Sequence, residues 1–231
     1  MAHLAHYKEA HPTVFRVTHW INLIAMIVLI FTGFYIHFPF FAGFMGIARG
    51  AHIFFGFIIL INCILRIILA FMVDTAQSGG TRKVDKDYKN WLPQKQNRHQ
   101  GLQWIKYYLF MKKDHPLSGK YGVPQKLAYL AVPVLLLFMG YTGLALWAPT
   151  ADMAFFAWGT ALVGGIMNQR IIHYFMMWVF IAFTMIHVYL ANIEGFAPSK
   201  IMFFGTEHGG LTYDPDDGVV TGIDEMGHEK K

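Results

Sequence analysis

Four histidines lie inside apolar stretches of membrane-crossing length: His19, His52, His173 and His187. An ionisable side chain in hydrocarbon is costly and marks a functional position. Two imidazole pairs facing each other across a helix bundle supply what two bis-histidine haems b require. Three of the four histidines carry an arginine three residues upstream, in Arg16-Val-Thr-His19, Arg49-Gly-Ala-His52 and Arg170-Ile-Ile-His173. Residues i and i+3 share a helix face. One turn therefore offers an imidazole to an iron and a guanidinium to a propionate. His187 lacks this device. Arg66 is the candidate cation for its haem, with snorkelling to lipid phosphate as the alternative. No Cys-x-x-Cys-His occurs, so the haems are expected to be non-covalent. Histidine at both axial positions leaves no open coordination site, which points to electron transfer rather than catalysis at iron.

The elements that position these residues follow from composition. The chain has 231 residues, 55% hydrophobic and 14% charged. A soluble domain carries about a quarter charged residues, so the reading is an all-α integral membrane protein, a four-helix bundle. The spans are expected at about residues 17–38, 50–73, 124–148 and 171–193, each long enough for a hydrocarbon core of about 30 Å. Residues 153–167 are apolar but short and contain Gly159, Gly164 and Gly165. They are read as a partner-docking segment at the outer surface, not a fifth span. Residues 1–195 form the membrane domain and 196–231 a tail.

Charge sets the orientation. Residues 74–123 hold Arg82, Lys83, Lys86, Lys89, Lys95, Arg98, Lys106, Lys112, Lys113 and Lys120, whereas the loops after the first and third spans hold only Arg49 and Arg170. The positive-inside rule puts the long loop and both termini in the cytoplasm. That basic loop is a topology signal, and no nucleic-acid partner is implied. Within it, residues 103–113 read as an amphipathic helix on the inner interface. The N-terminus lacks the order of a signal peptide, so the first span is expected to remain as an anchor. The single cysteine, Cys63, excludes a disulfide framework and an all-cysteine iron–sulfur site and reads as a small buried residue. His3, His6, His11, His99, His115, His208 and His228 read as solvated, and His37 as the end of the first span.

With this orientation His19 begins the first span near the cytoplasm and His52 begins the second near the outside. His173 and His187 share the fourth span, and 14 residues of helix rise about 21 Å, close to four turns. Depth-matching pairs His52 with His173 outside and His19 with His187 inside. A weak echo links Phe31-Thr32-Gly33-Phe34 to Tyr141-Thr142-Gly143-Leu144. Gly33, Gly56 and Gly143 are candidates for close approach to a haem, with plain helix packing an equal alternative for each.

Several motifs carry a resemblance. Arg16-Val-Thr-His19-Trp20, Met45-Gly-Ile-Ala-Arg-Gly-Ala-His52, and Arg170-Ile-Ile-His173 with Trp178 and His187-Val-Tyr-Leu-Ala191 are similar to the b-type cytochrome subunit of membrane-bound [NiFe] hydrogenases. Tyr107-Tyr-Leu-Phe, Thr142-Gly143 and Gly164-Gly165 fit as well, over about residues 13–195. The histidine framework is shared with cytochrome subunits of formate dehydrogenases. The resemblance implies an inner-membrane, non-catalytic electron-transfer subunit with His19, His52, His173 and His187 as haem ligands. Its implied partners are a periplasmic hydrogenase small subunit with iron–sulfur clusters, the large subunit, membrane lipid, and a quinone (menaquinone or ubiquinone). A quinone near the inner haem would have His187, Tyr129, Asn192 and Glu194 at its level. Two other readings stay open: a different quinone-linked complex, and a haem-free transporter or assembly factor. The tail from Gly205 is not part of the resemblance.

Overall fold

The computed structural model describes residues 11–76, 84–92, 100–112, 121–192, 196–205, 211–214, 219–223 and 229–230. In chain order its helices are α1 (Thr13–His37), α2 (Met45–Met72), α3 (Gly101–Tyr108), α4 (Val123–Leu146), α5 (Ala148–Ala151), α6 (Ala154–Leu162), α7 (Ile166–Asn192) and α8 (Ala197–Phe204). Of these, α1, α2, α4 and α7 are long and apolar enough to cross a membrane. The all-α, four-span architecture expected from the sequence is present. Helices α2 and α7 begin earlier than expected, at Met45 and Ile166. The uninterrupted apolar runs start after Arg49 and Arg170, whereas the helices run through them. Contacts divide the chain into two compact units.

The first unit comprises residues 17–65 and 133–198 and so holds most of the four spans. Ile24, Ile27, Phe54, Ile61, Val134 and Ile186 are among its exposed apolar side chains, the surface that lipid covers. Polar groups are buried inside this unit, and several are bonded across its helices. The Asn62 amide donates from α2 to the Thr18 carbonyl and to Asn22 Oδ1 of α1, both at 2.7 Å. Interhelical bonds of this kind contribute about 0.6–2 kcal/mol in a membrane. Asn62→Leu is therefore expected to lower stability by about that amount, read as an earlier thermal unfolding in detergent. The turn after α1 is closed by Tyr35, whose hydroxyl donates to the Phe41 carbonyl and whose ring packs on Phe40, Phe41 and Phe44.

The apolar segment after α4 does not cross the membrane. Helix α6 has 9 residues, about 13.5 Å of rise against a core of about 30 Å. Gly164 and Gly165 end it at φ 88° and 108°, a left-handed pair that strains any other residue. The chain then turns into α7.

The second unit comprises residues 1–16, 66–132 and 199–231. Strands β1 (Asp74–Ala76) and β2 (Val84–Lys86) pair antiparallel, and a 3-10 turn, Asp87–Trp91, follows. The Asp87 carboxylate, wholly buried, accepts from Arg66 Nη2 at 2.6 Å, Thr75 Oγ1 at 3.2 Å and Trp91 Nε1 at 3.2 Å. The Arg66 guanidinium lies 3.9 Å over the Phe15 ring. Ala70, Trp91 and Tyr121 form a small core, with Tyr88 and Tyr129 packed on it. Burial pushes the Tyr121 phenol well above its ordinary range, so it stays neutral. The expected amphipathic helix is α3, shorter than the pattern suggested. It buries Trp104 and stops where Phe110 adopts φ 59°. Strands β3 (Leu211–Asp214), β4 (Val219–Ile223) and β5 (Glu229–Lys230) form an antiparallel sheet in the order β3-β4-β5, which the reading of residues 196–231 as a tail did not anticipate.

Candidate functional site

Histidines from three spans meet in two places. His52 on α2 faces His173 on α7, with ring centroids 6.2 Å apart. His19 on α1 faces His187 on α7 at 6.1 Å. A metal–imidazole nitrogen bond is about 2.0–2.1 Å, and two imidazoles on opposite sides of one metal have centroids about 6.4 Å apart by that yardstick. Among the described residues no group of three or more His, Cys, Asp or Glu is placed to hold a metal ion. Two imidazoles leave a tetrahedral metal short of ligands. They complete a metal whose macrocycle supplies the other donors. The donor set thus fits haem.

The His52–His173 pair opens on a cavity of about 910 Å³ that Arg49, Arg170, Gly33, Gly56 and Gly143 help to line. Cofactor-sized pockets span about 300–1,000 Å³. Arg49 and Arg170 each precede their histidine by one turn, and neither has an acidic partner among the described residues. Glycine matters most at two positions. A Cβ on Gly143 would stand 3.2 Å from His173 Cε1, and one on Gly33 would stand 3.3 Å from Met177 Sδ and 3.5 Å from His52 Cε1. Nothing crowds Gly56.

The residues before those glycines are ones that sequence reasoning missed. Thr32 Oγ1 lies 2.9 Å from His52 Nδ1, and Thr142 Oγ1 lies 2.8 Å from His173 Nδ1. Each hydroxyl hydrogen is already committed to a backbone carbonyl of its own helix, Val28 at 2.7 Å and Met139 at 2.9 Å. The threonine oxygens must then accept, and the imidazoles donate from Nδ1–H. That tautomer leaves the Nε2 lone pair free for a metal. The signal was the Thr-Gly echo itself. In each helical hairpin a Thr-Gly pair on the first helix meets an Arg-x-x-His unit on the second. The other pair is held differently. His19 packs edge-on to Trp20, and His187 stacks on Phe183. Neither imidazole has a hydrogen-bond partner among the described residues.

The remaining candidates have partners of their own. Arg16 Nη2 donates to Thr13 Oγ1 at 3.0 Å, while its Nε is buried without a partner among the described residues. Arg66 is paired with Asp87 through Nη2, and its Nη1 is buried without a partner among the described residues. The Tyr129 hydroxyl donates to the Tyr121 hydroxyl at 3.2 Å, and Asn192 Nδ2 to the Val188 carbonyl one turn back. His37 stacks on Tyr174. His3, His6, His99, His115, Glu194, His208 and His228 lie outside the described residues.

Four membrane-crossing helices with imidazoles paired inside them define a membrane cytochrome of the b type. The chain belongs to the prokaryotic cytochrome b561 family, whose profile matches residues 10–205. It is 27% identical over 199 residues, 78% of each chain, to a protein of Rhizobium leguminosarum bv. viciae named "Probable Ni/Fe-hydrogenase B-type cytochrome subunit". It is 29% identical over 219 residues, 87% of each chain, to a protein of the same name from Azotobacter chroococcum mcd 1. It is 28% identical over 207 residues to the "Probable Ni/Fe-hydrogenase 1 B-type cytochrome subunit" of Escherichia coli K12, covering 83% of this chain and 84% of that one. It is a multi-pass protein of the inner membrane that takes b-type haem.

The close approach at Gly143 gives a direct expectation. Gly143→Val places a branched side chain where a single Cβ already presses on His173. The ring must leave its position, so haem bound per chain should fall, measured by Soret absorbance against protein. Gly143→Ala, which asks for a shift of only a few tenths of an ångström, should retain most of it.

Proposed function

We propose that this chain is the cytochrome subunit of a membrane-bound [NiFe] hydrogenase and carries electrons from periplasmic hydrogen oxidation across the inner membrane to the quinone pool. The family and the names of the relatives support the hydrogenase link. The observation that carries the electron-transfer reading is the pair of imidazole couples at 6.1 and 6.2 Å.

In this reading His52 and His173 hold one haem b, and His19 and His187 hold a second, both non-covalently. Bound haem supplies a one-electron couple at each level. The four histidines would hold the iron, and iron held by two imidazoles would be closed to oxygen and substrate. Arg49 and Arg170 neutralise propionates at the first level. The sequence offers Arg16 and Arg66 for the same task at the second, and each has a buried nitrogen without a partner among the described residues. Gly33, Gly56 and Gly143 keep the faces of the cavity open to a flat macrocycle.

The excess of Lys and Arg in residues 74–123 supports a cytoplasmic position for that loop, both termini and the segment after α7. The His52–His173 level then lies toward the periplasm, where the iron–sulfur small subunit and the large subunit would dock. The His19–His187 level lies toward the cytoplasm. A quinone, menaquinone or ubiquinone, would be reduced there, with His187, Tyr129 and Asn192 as candidate contacts.

The test compares membranes with and without this chain. Hydrogen-dependent reduction of a soluble dye should persist in both, because it needs only the peripheral subunits. Hydrogen-dependent reduction of quinone should be lost without the chain and restored by it. Undiminished quinone reduction in its absence would overturn the reading.

A further inference from the structure

The two histidine pairs differ in what stands behind the rings. His52 and His173 each donate from Nδ1–H to a threonine whose own hydrogen is fixed on a backbone carbonyl. His19 and His187 have ring contacts and no hydrogen bond among the described residues. A hydrogen bond accepted from the distal nitrogen of a ligating imidazole fixes the tautomer and raises the basicity of the ligand. Hydrogen bonding around the ligands is one of the protein's levers on haem potential. Greater basicity favours the more positive, oxidised iron.

The arrangement is built rather than incidental. Both threonines are buried, at 2% and 1% exposure. Both sit one position before a glycine whose missing Cβ lets the imidazole approach.

We propose that Thr32 and Thr142 are positioning residues that hold His52 and His173 in the ligating tautomer and lower the reduction potential of the iron between them, leaving the His19–His187 level untouched. This rests on the two-haem reading given above. It assigns the threonines a role through the histidines and no contact with substrate. With both threonines in place, the periplasmic level is the one tuned to hand its electron on.

The test is an optical redox titration of the purified full-length protein with its haem bound, for wild type, Thr142→Val and Thr142→Ser. Valine keeps the shape and removes the hydroxyl, whereas serine keeps the hydroxyl and removes the methyl. The wild type should show two waves. Thr142→Val should move one wave upward by about tenfold in the one-electron equilibrium, ~59 mV, and leave the other in place. Thr142→Ser should match the wild type. Loss of one haem in the valine variant with retention in the serine variant would also support the hydroxyl's role. Two unshifted waves in Thr142→Val would overturn the proposal, as would serine behaving like valine. A single wave in the wild type would instead count against the two-haem reading itself.

Discussion

Replacing His173 by alanine is expected to remove one haem from the chain, leave the other, and abolish hydrogen-dependent quinone reduction. The His52 and His173 rings face each other at 6.2 Å, so loss of either leaves an iron with one imidazole in a site shaped for two. His52→Ala should therefore give the same residual spectrum as His173→Ala. The double variant should lose nothing further, the non-additivity expected of residues that act as a unit. His19→Ala and His187→Ala should share a different residual spectrum, because those rings meet at 6.1 Å. Combining His173→Ala with His187→Ala should remove both haems. Difference spectra of the purified variants read all of this. Distinct residual spectra for His52→Ala and His173→Ala would break the pairing.

The second large effect lies at Asp87. Its carboxylate is fully buried against Arg66, whose side chain is 17% exposed. It also accepts from Thr75 and Trp91. Breaking a buried ion pair by removing one partner costs about 3–5 kcal/mol, because the other charge is left uncompensated. Asp87→Ala would strand the Arg66 guanidinium, whose Nη1 already has no partner, together with the Thr75 and Trp91 donors. It should lower the thermal unfolding of the unit formed by residues 1–16, 66–132 and 199–231 or prevent its assembly, measured by limited proteolysis in detergent. Asp85 makes a similarly short contact, to Lys89 at 2.6 Å, but on the surface, where screening removes most of the benefit. Asp85→Ala should leave the proteolysis pattern unchanged. Equal sensitivity of the two variants would mean that burial is not what gives the Asp87 pair its weight.

Much of this site was legible in the sequence because a membrane leaves few choices. A histidine inside a span needs a reason, and the spacing of 14 between His173 and His187 puts both on one face of α7 at different depths. The pairing follows once the alternation of spans is counted. The Thr-Gly echo was visible, but it was read only for its glycines. The threonine hydroxyls matter because of which nitrogen they face across to the next helix, and a linear pattern does not show that. Asp87 was not legible as the partner of Arg66. The two lie 21 positions apart, and the intervening β1–β2 pairing carries no strong alternation of apolar and polar residues. Short strands such as β3 to β5 likewise give too few periods to register. Helices α2 and α7 run on past the starts of their apolar runs, because a charge ends an apolar run without ending a helix.

The proposed electron path requires two haems b in this chain, one at each histidine pair. The most direct measurement is pyridine-haemochrome quantitation on the purified wild-type protein, set against its molar concentration. Two equivalents of haem b per chain are expected, released by acid solvent as non-covalent binding requires. One equivalent would mean that one of the two facing histidine pairs holds no haem. None, in a protein whose four spans are folded, would contradict the electron-transfer account altogether.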